Sequence, residues 1–149
     1  MSESESVNET MSEAANSCVE YARQSFGITL DYSDASIEKV ESMLSRIYLT
    51  IPRGFWSKIT KKAPPPPEKL EQISLMFGGY IAEVIKRQFG GTWKMESALY
   101  PGQTLLTFQA GAGGDMWPHL KVGMRLENGP VDSVWSYYRF LRGKFENKT

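Results

Sequence analysis

Between Pro67 and Met95 the apolar positions fall at Leu70, Ile73, Phe77, Ile81, Val84 and Ile85. This is the i, i+3, i+4, i+7 spacing of an amphipathic helix. Leu75, Met76 and Tyr80 widen the stripe beyond one face, so the pattern predicts a long central helix covered on more than one side. Pro67 suits the first turn, where a missing N–H costs nothing. Glu68 and Glu71 near the start, and Lys86 and Arg87 near the end, match the helix dipole. Gly90-Gly91 then offers the left-handed conformation of a C-cap. Gly78-Gly79 in mid-helix needs a reason, because each glycine costs about 1 kcal/mol relative to alanine. The pair predicts that another backbone lies close against the helix; a kink, or a gap for a ligand, is the alternative.

The rest of the chain divides by the same patterning. Residues 1–9 are mostly Ser, Glu and Asn, a composition that predicts a disordered acidic tail before a single domain over 10–145. From Glu9 to Phe26 the positions Met11, Ala14, Ala15, Cys18, Val19, Ala22 and Phe26 keep helical spacing, and Gly27 ends the run. Ile28–Tyr32 is a strand or an extended link. Ser33 or Asp34 then caps a helix that turns Ile37, Val40, Met43, Leu44, Ile47 and Tyr48 inward and stops by Pro52.

Residues 52–66 break the composition: Arg53, Lys58, Lys61 and Lys62 surround Phe55, Trp56 and Ile59, and a proline run follows. This segment reads as a basic, proline-rich loop. Its aromatics fold back onto the core or form an exposed patch for a partner, Phe55 and Trp56 being the candidate contacts.

After the central helix, Thr92–Ser97 alternates as a half-buried strand, Tyr100-Pro101-Gly102 turns, and Thr104–Phe108 reads as the next strand, antiparallel to the first. Residues 110–114 are a strand-to-strand loop. They lack the lysine and hydroxyl residue of a phosphate loop. Trp117–Val122 reads as a third strand and Gly123–Gly129 as a turn. Pro130 would begin a last helix burying Val131, Val134, Trp135, Tyr138 and Leu141, with Asp132 in its first turn. The expected fold class is therefore α+β: about four helices, the long central one packed on a small antiparallel sheet of two to three strands.

Composition narrows the functions. The formal net charge is zero, which gives no electrostatic case for nucleic acid or an acidic membrane. No apolar run approaches the ~18 residues of a membrane span. The single cysteine, Cys18, falls on an apolar stripe and reads as a buried structural thiol, consistent with a soluble, cytoplasmic protein. The single histidine, His119, stands apart from any second histidine or cysteine and reads as exposed or hydrogen-bonded. No metal or cofactor is implied, and no nucleophile–base set is legible.

The least ordinary polar cluster is Arg125, Glu127, Asn128 and Asp132. Arg125 there is able to grip an anion, or to pair with Glu83 or Asp132 in a structural turn. Glu83 and Arg87, four apart on the central helix, pair with each other and form a polar edge expected to meet that turn.

Three motifs carry a resemblance: Leu30-Asp31-Tyr32-Ser33, Gly79-Tyr80-Ile81-x-Glu83-Val84, and Arg125-Leu126-x-Asn128-Gly129-Pro130. With them the stretch from Ile28 to Arg139 resembles a group of small bacterial proteins known as a domain of unknown function. The resemblance implies no catalytic residue. Residues 52–66 look like an insertion against its pattern. The function expected from sequence is a non-enzymatic cytoplasmic interaction protein, an adaptor or immunity-type protein that binds another protein. The alternative is a small-ligand or anion-binding module on the Arg125–Asp132 turn.

Overall fold

The structure, a computed structural model, describes residues 3–51, 67–96, 102, 104–111 and 113–147. The segment with Phe55 and Trp56 lies outside the described residues, as does most of the expected turn at 100–102. Among the described residues the order is α1 (Glu3–Phe26), α2 (Asp34–Thr50), α3 (Pro67–Phe89), β1 (Gly91–Lys94), β2 (Thr107–Ala110), β3 (Asp115–Met116), α4 (Pro118–Asn128), a 3-10 turn (Gly129–Asp132) and α5 (Val134–Glu146). The fold is α+β: the described residues form five α-helices and one three-stranded antiparallel sheet.

Helix α3 is the centre, as its wide stripe predicts. Phe77, Tyr80, Ile81, Ala82, Val84 and Ile85 are all buried. Its glycine pair makes room for two neighbours at once. A Cβ on Gly78 would fall 2.4 Å from His119 Cα, on α4. A Cβ on Gly79 would meet Met11 O at 3.1 Å and Ala15 N at 3.4 Å, on α1. Adjacent residues on a helix point about 100° apart, so consecutive glycines admit one backbone on each flank.

The sheet lies past the C-terminus of α3. Gly90 takes a left-handed φ of 77° and its N–H closes the helix on Lys86 O at 2.8 Å. β1 then pairs with β2, Trp93 opposite Phe108, and β2 pairs with β3, Phe108 opposite Met116. Both strands sit a few residues from their expected limits, and between β2 and β3 the Ala110 N–H bonds Gly114 O at 3.2 Å, as a strand-to-strand connection requires.

Three expectations are corrected. Residues 3–9 are helical and no tail, because Asn8 has a partner that composition does not show. Its side-chain amide accepts from Trp93 N at 2.9 Å and donates to Trp93 O at 3.1 Å, so it pairs with β1 as a neighbouring strand would. Val7 packs on the core beside it.

The second correction concerns Trp117–Val122, which is not a strand. Pro118 opens helix α4, and the buried positions Pro118, His119, Val122, Arg125 and Leu126 keep helical spacing. β3 is the two residues just before. The short alternation around Pro118 hid this period, and Gly123, which looked like a turn, lies inside the helix opposite Ser74, where a Cβ would make ordinary contact with Ser74 Oγ at 3.5 Å.

The last helix begins at Val134 and not at Pro130. Ser133 is its N-cap, accepting from Ser136 N at 3.1 Å. Val131 is therefore outside the helix and 84% exposed, while Phe145 joins Val134 and Tyr138 in the core.

Cys18 is buried, and burial pushes its thiol well above the ordinary range, so it is inert packing in α1. Among the described residues no helix is long and apolar enough to cross a membrane.

Candidate functional site

The polar residues singled out in the sequence separate into two places. Arg125 turns into the protein. It is 1% exposed, and its Nε donates to Glu41 Oε2 at 2.5 Å while Nη2 donates to Ser45 Oγ. Neither Glu83 nor Asp132 is its partner. Glu41 also reaches the start of α5, accepting from Ser133 Oγ at 2.7 Å and Trp135 N at 3.1 Å. Burial alone would raise the Glu41 carboxyl, but the bonds from Arg125, Ser133 and Trp135 outweigh it and hold the group below its usual value. One carboxylate thus ties α2 to α4 and caps α5. Asp132 pairs instead with Lys121 at 3.2 Å and with Asn128 at 2.7 Å.

Glu83 and Arg87 do pair with each other, at 3.2 Å, but beside Tyr32 and not beside the 125–132 turn. The Arg87 guanidinium lies 3.6 Å over the Tyr32 ring, whose ring also stacks on Tyr80 at 4.9 Å. Tyr32 has a φ of 64°, a left-handed conformation that is rare for a bulky residue. The hydrogen bonds give the reason. Tyr32 N–H donates to Tyr80 Oη at 2.8 Å. Ser36 Oγ spends its one proton on Ser33 O, so the 2.7 Å contact between Ser36 Oγ and Tyr80 Oη has the phenol as donor. Burial pushes that phenol up to about 12, so it keeps its proton. The unusual backbone at Tyr32 satisfies a buried hydroxyl, and this cluster is a clamp between the 28–33 link, α2 and α3.

Among the described residues a large groove lies between α3 and α4. With a volume of about 860 Å³, it is lined by Leu70, Leu75, Leu120, Met124, Leu126 and Ile51, with Glu71, Ser74, Glu127 and His119 as its polar members. The volume and the mostly apolar lining are those of a binding cleft. Leu120 is 49% and Met124 45% exposed, so its wall presents apolar surface to solvent.

His119 at this groove is neither exposed nor hydrogen-bonded as expected. It is 8% exposed, Trp93 lies against it with ring centroids 5.6 Å apart, and its Nδ1 is buried with no partner. Burial lowers its pKa to about 4 from the ordinary 6.5. An imidazole with no carboxylate to orient it lacks the arrangement of a nucleophile's base. Among the described residues no group of three or more metal-binding side chains occurs.

The buried imidazole has a consequence for stability. The folded pKa is depressed, so its contribution is fully present above about 6.5 and is lost as pH falls toward 4. Lowering the pH from 7 to 5 is expected to cost about 2 kcal/mol. Urea midpoints at both pH values check this. His119→Phe should flatten the dependence, and equal slopes in the two proteins would count against a neutral buried histidine.

Sequence reasoning missed this groove. Leu75 and Met76 were visible as surplus apolar positions on α3, a sign of a second covered face. Leu120 and Met124 were not visible as a pair, because a strand reading places them on no common face.

Fold and site together define a small α+β domain with an apolar inter-helix groove and no recognisable catalytic constellation among the described residues. No family model matches the chain, and neither a curated protein nor a solved structure does.

Proposed function

We propose that this chain is a non-enzymatic interaction protein of the adaptor or immunity type, which binds another protein through the α3/α4 groove. The observation that carries this reading is the half-exposed pair Leu120 and Met124 on the wall of an 860 Å³ apolar groove. The charge balance and the single buried thiol support a cytoplasmic setting, and the three sequence motifs support a bacterial one.

The alternative, an anion-binding module at the 125–132 turn, is less well supported. An anion there would have to displace Glu41 from a fully buried Arg125.

The test is affinity isolation from the native cell with the parent chain and with the double variant Leu120→Asp/Met124→Asp. Both positions are solvent-facing, so circular dichroism should show the parental fold. A stoichiometric protein partner is expected with the parent and a loss of about tenfold or more with the variant, since buried apolar anchors dominate binding. Recovery of no stoichiometric partner, or equal recovery with both, would overturn the reading.

A further inference from the structure

His119 is the second residue of α4. Its backbone lies against Gly78 of α3, and its ring stands edge-on to Trp93 of β1. The side chain is nine-tenths buried, and its Nδ1 has no hydrogen bond. A neutral imidazole tolerates this, because one ring nitrogen carries no proton. The protonated ring carries an N–H on both nitrogens and would bury one of them without an acceptor.

The same turn is where a helix tolerates a cation least, because unpaired N–H groups and the helix dipole make its N-terminus positive. The N-cap residue, Trp117, makes no side-chain cap, and the first turn of α4 contains no acidic residue. Among the described residues the charges on neighbouring elements are committed elsewhere or exposed. On α3 Glu83 pairs with Arg87 and Glu71 is exposed. On β1 Lys94 pairs with Asp115 of β3 at 3.2 Å. On α2 Glu41 holds Arg125, in the 3-10 turn Asp132 holds Lys121, and on α5 Arg139 lies over Trp135. On α4 itself Glu127 lies two turns further on.

The far half of α4 is held differently. Arg125 donates to Glu41 and Ser45, both on α2. Burial opposes ionisation of Glu41, but the bonds from Arg125, Ser133 and Trp135 outweigh it and keep the carboxyl below its ordinary value. This tie is therefore intact at pH 5.

We infer that the first turn of α4 is an acid-released latch: protonation of His119 frees that turn from α3 and β1 and moves the groove wall at Leu120, while the Arg125 half of the helix stays tied to α2. The latch is independent of what the groove binds. Burial holds the imidazole at about 4, and once the turn opens it returns to the ordinary 6.5. The open population therefore rises about twentyfold between pH 7 and pH 5.

Native-state hydrogen exchange of the full chain, followed by NMR and corrected for the intrinsic rate at each pH, is the test. The reporters are the Leu120 and Lys121 amides, which bond Trp117 O, each at 3.1 Å. Their protection is expected to fall about twentyfold from pH 7 to pH 5 and to be insensitive to low urea, because a local opening exposes little surface. The amides of Ile81, Val84 and Leu126 should exchange by the urea-dependent global route at both pH values. His119→Phe, which cannot charge, should keep the protection seen at pH 7 and lose the pH dependence. Leu120→Glu, at a half-exposed position, places an acid in the first turn and should shrink the acid response about twofold or more. Unchanged protection at pH 5, a loss at Leu120 and Lys121 that carries the urea slope of global unfolding, or the same loss in His119→Phe would overturn the inference. Should His119→Phe not fold, the parent and Leu120→Glu decide, and an equal acid response in those two would also overturn it.

Discussion

Gly78→Ala is expected to destabilise the fold by about 3 kcal/mol and to lower Tm by about 10 °C. A glycine-to-alanine change inside a helix would ordinarily stabilise it, by up to about 1 kcal/mol. Here the added methyl would sit 2.4 Å from His119 Cα and 2.5 Å from His119 N. Those are backbone atoms of α4, so no side chain can rotate out of the way, and the two helices must separate. Gly79→Ala is the internal control. Its nearest neighbours lie at 3.1 to 3.4 Å, so α1 need shift only a few tenths of an ångström. The propensity gain offsets much of that strain, and the variant should fall within about 1 kcal/mol of the parent. Leucine at either position should destabilise clearly. Urea unfolding followed by circular dichroism ranks the variants. A Gly78→Ala protein as stable as the parent would refute the close seam.

Removing Arg125 should cost about as much. Arg125→Met leaves Glu41 half-buried with its main counter-charge gone, and breaking such a pair typically costs about 3–5 kcal/mol. Replacing both, as Glu41→Leu/Arg125→Met, should recover most of the loss, because no buried charge is left. It should not recover all of it. Glu41 also caps α5 through Ser133 and Trp135, and a lost cap costs about 1 kcal/mol. A double-mutant cycle measures the coupling, and additive single losses would show that the pair contributes nothing as a pair. The same carboxylate gives a pH signature. Its folded pKa is depressed, so its contribution is present above the unfolded carboxylate value of 4.5 and is lost as pH falls through the lower folded value. Most of the His119 effect falls between pH 6.5 and 4.5, above the range in which Glu41 acts, so the upper part of a pH series reports on His119.

Much of the fold was legible because the signals are local. The wide stripe of α3, its glycine stop and the Ser33 cap each depend on residues within a few positions of one another, and the paired strands around Trp93 and Phe108 are neighbours in the chain. The failures share one cause. Asn8 orders the start of α1 through β1, a partner 85 residues away. Helix α4 has Pro118 at its first position and Gly123 in its middle, so its period is obscured along the sequence and shows only in which of its residues are buried against other elements.

The candidate site was less legible for the same reason. Glu83 and Arg87 pair as their i, i+4 spacing requires, and Lys121, Asn128 and Asp132 close among themselves within about three turns. Arg125 instead reaches Glu41, 84 residues earlier in the chain. No spacing rule singles out that carboxylate from the others.

By itself, then, the sequence determined the class of the domain, the central helix, its caps, and the requirement that Gly78 and Gly79 face neighbouring backbone. Those follow from helical period, turn chemistry and the volume of a missing Cβ. Tertiary structure alone decided which elements fill the two sides of that helix, that His119 Nδ1 is buried without a hydrogen bond, that Arg125 is spent inside the fold, and that an apolar groove lies between α3 and α4. These depend on which distant surfaces meet when the core closes. Apolar packing is non-directional and selects them by shape and total burial, not by local pattern.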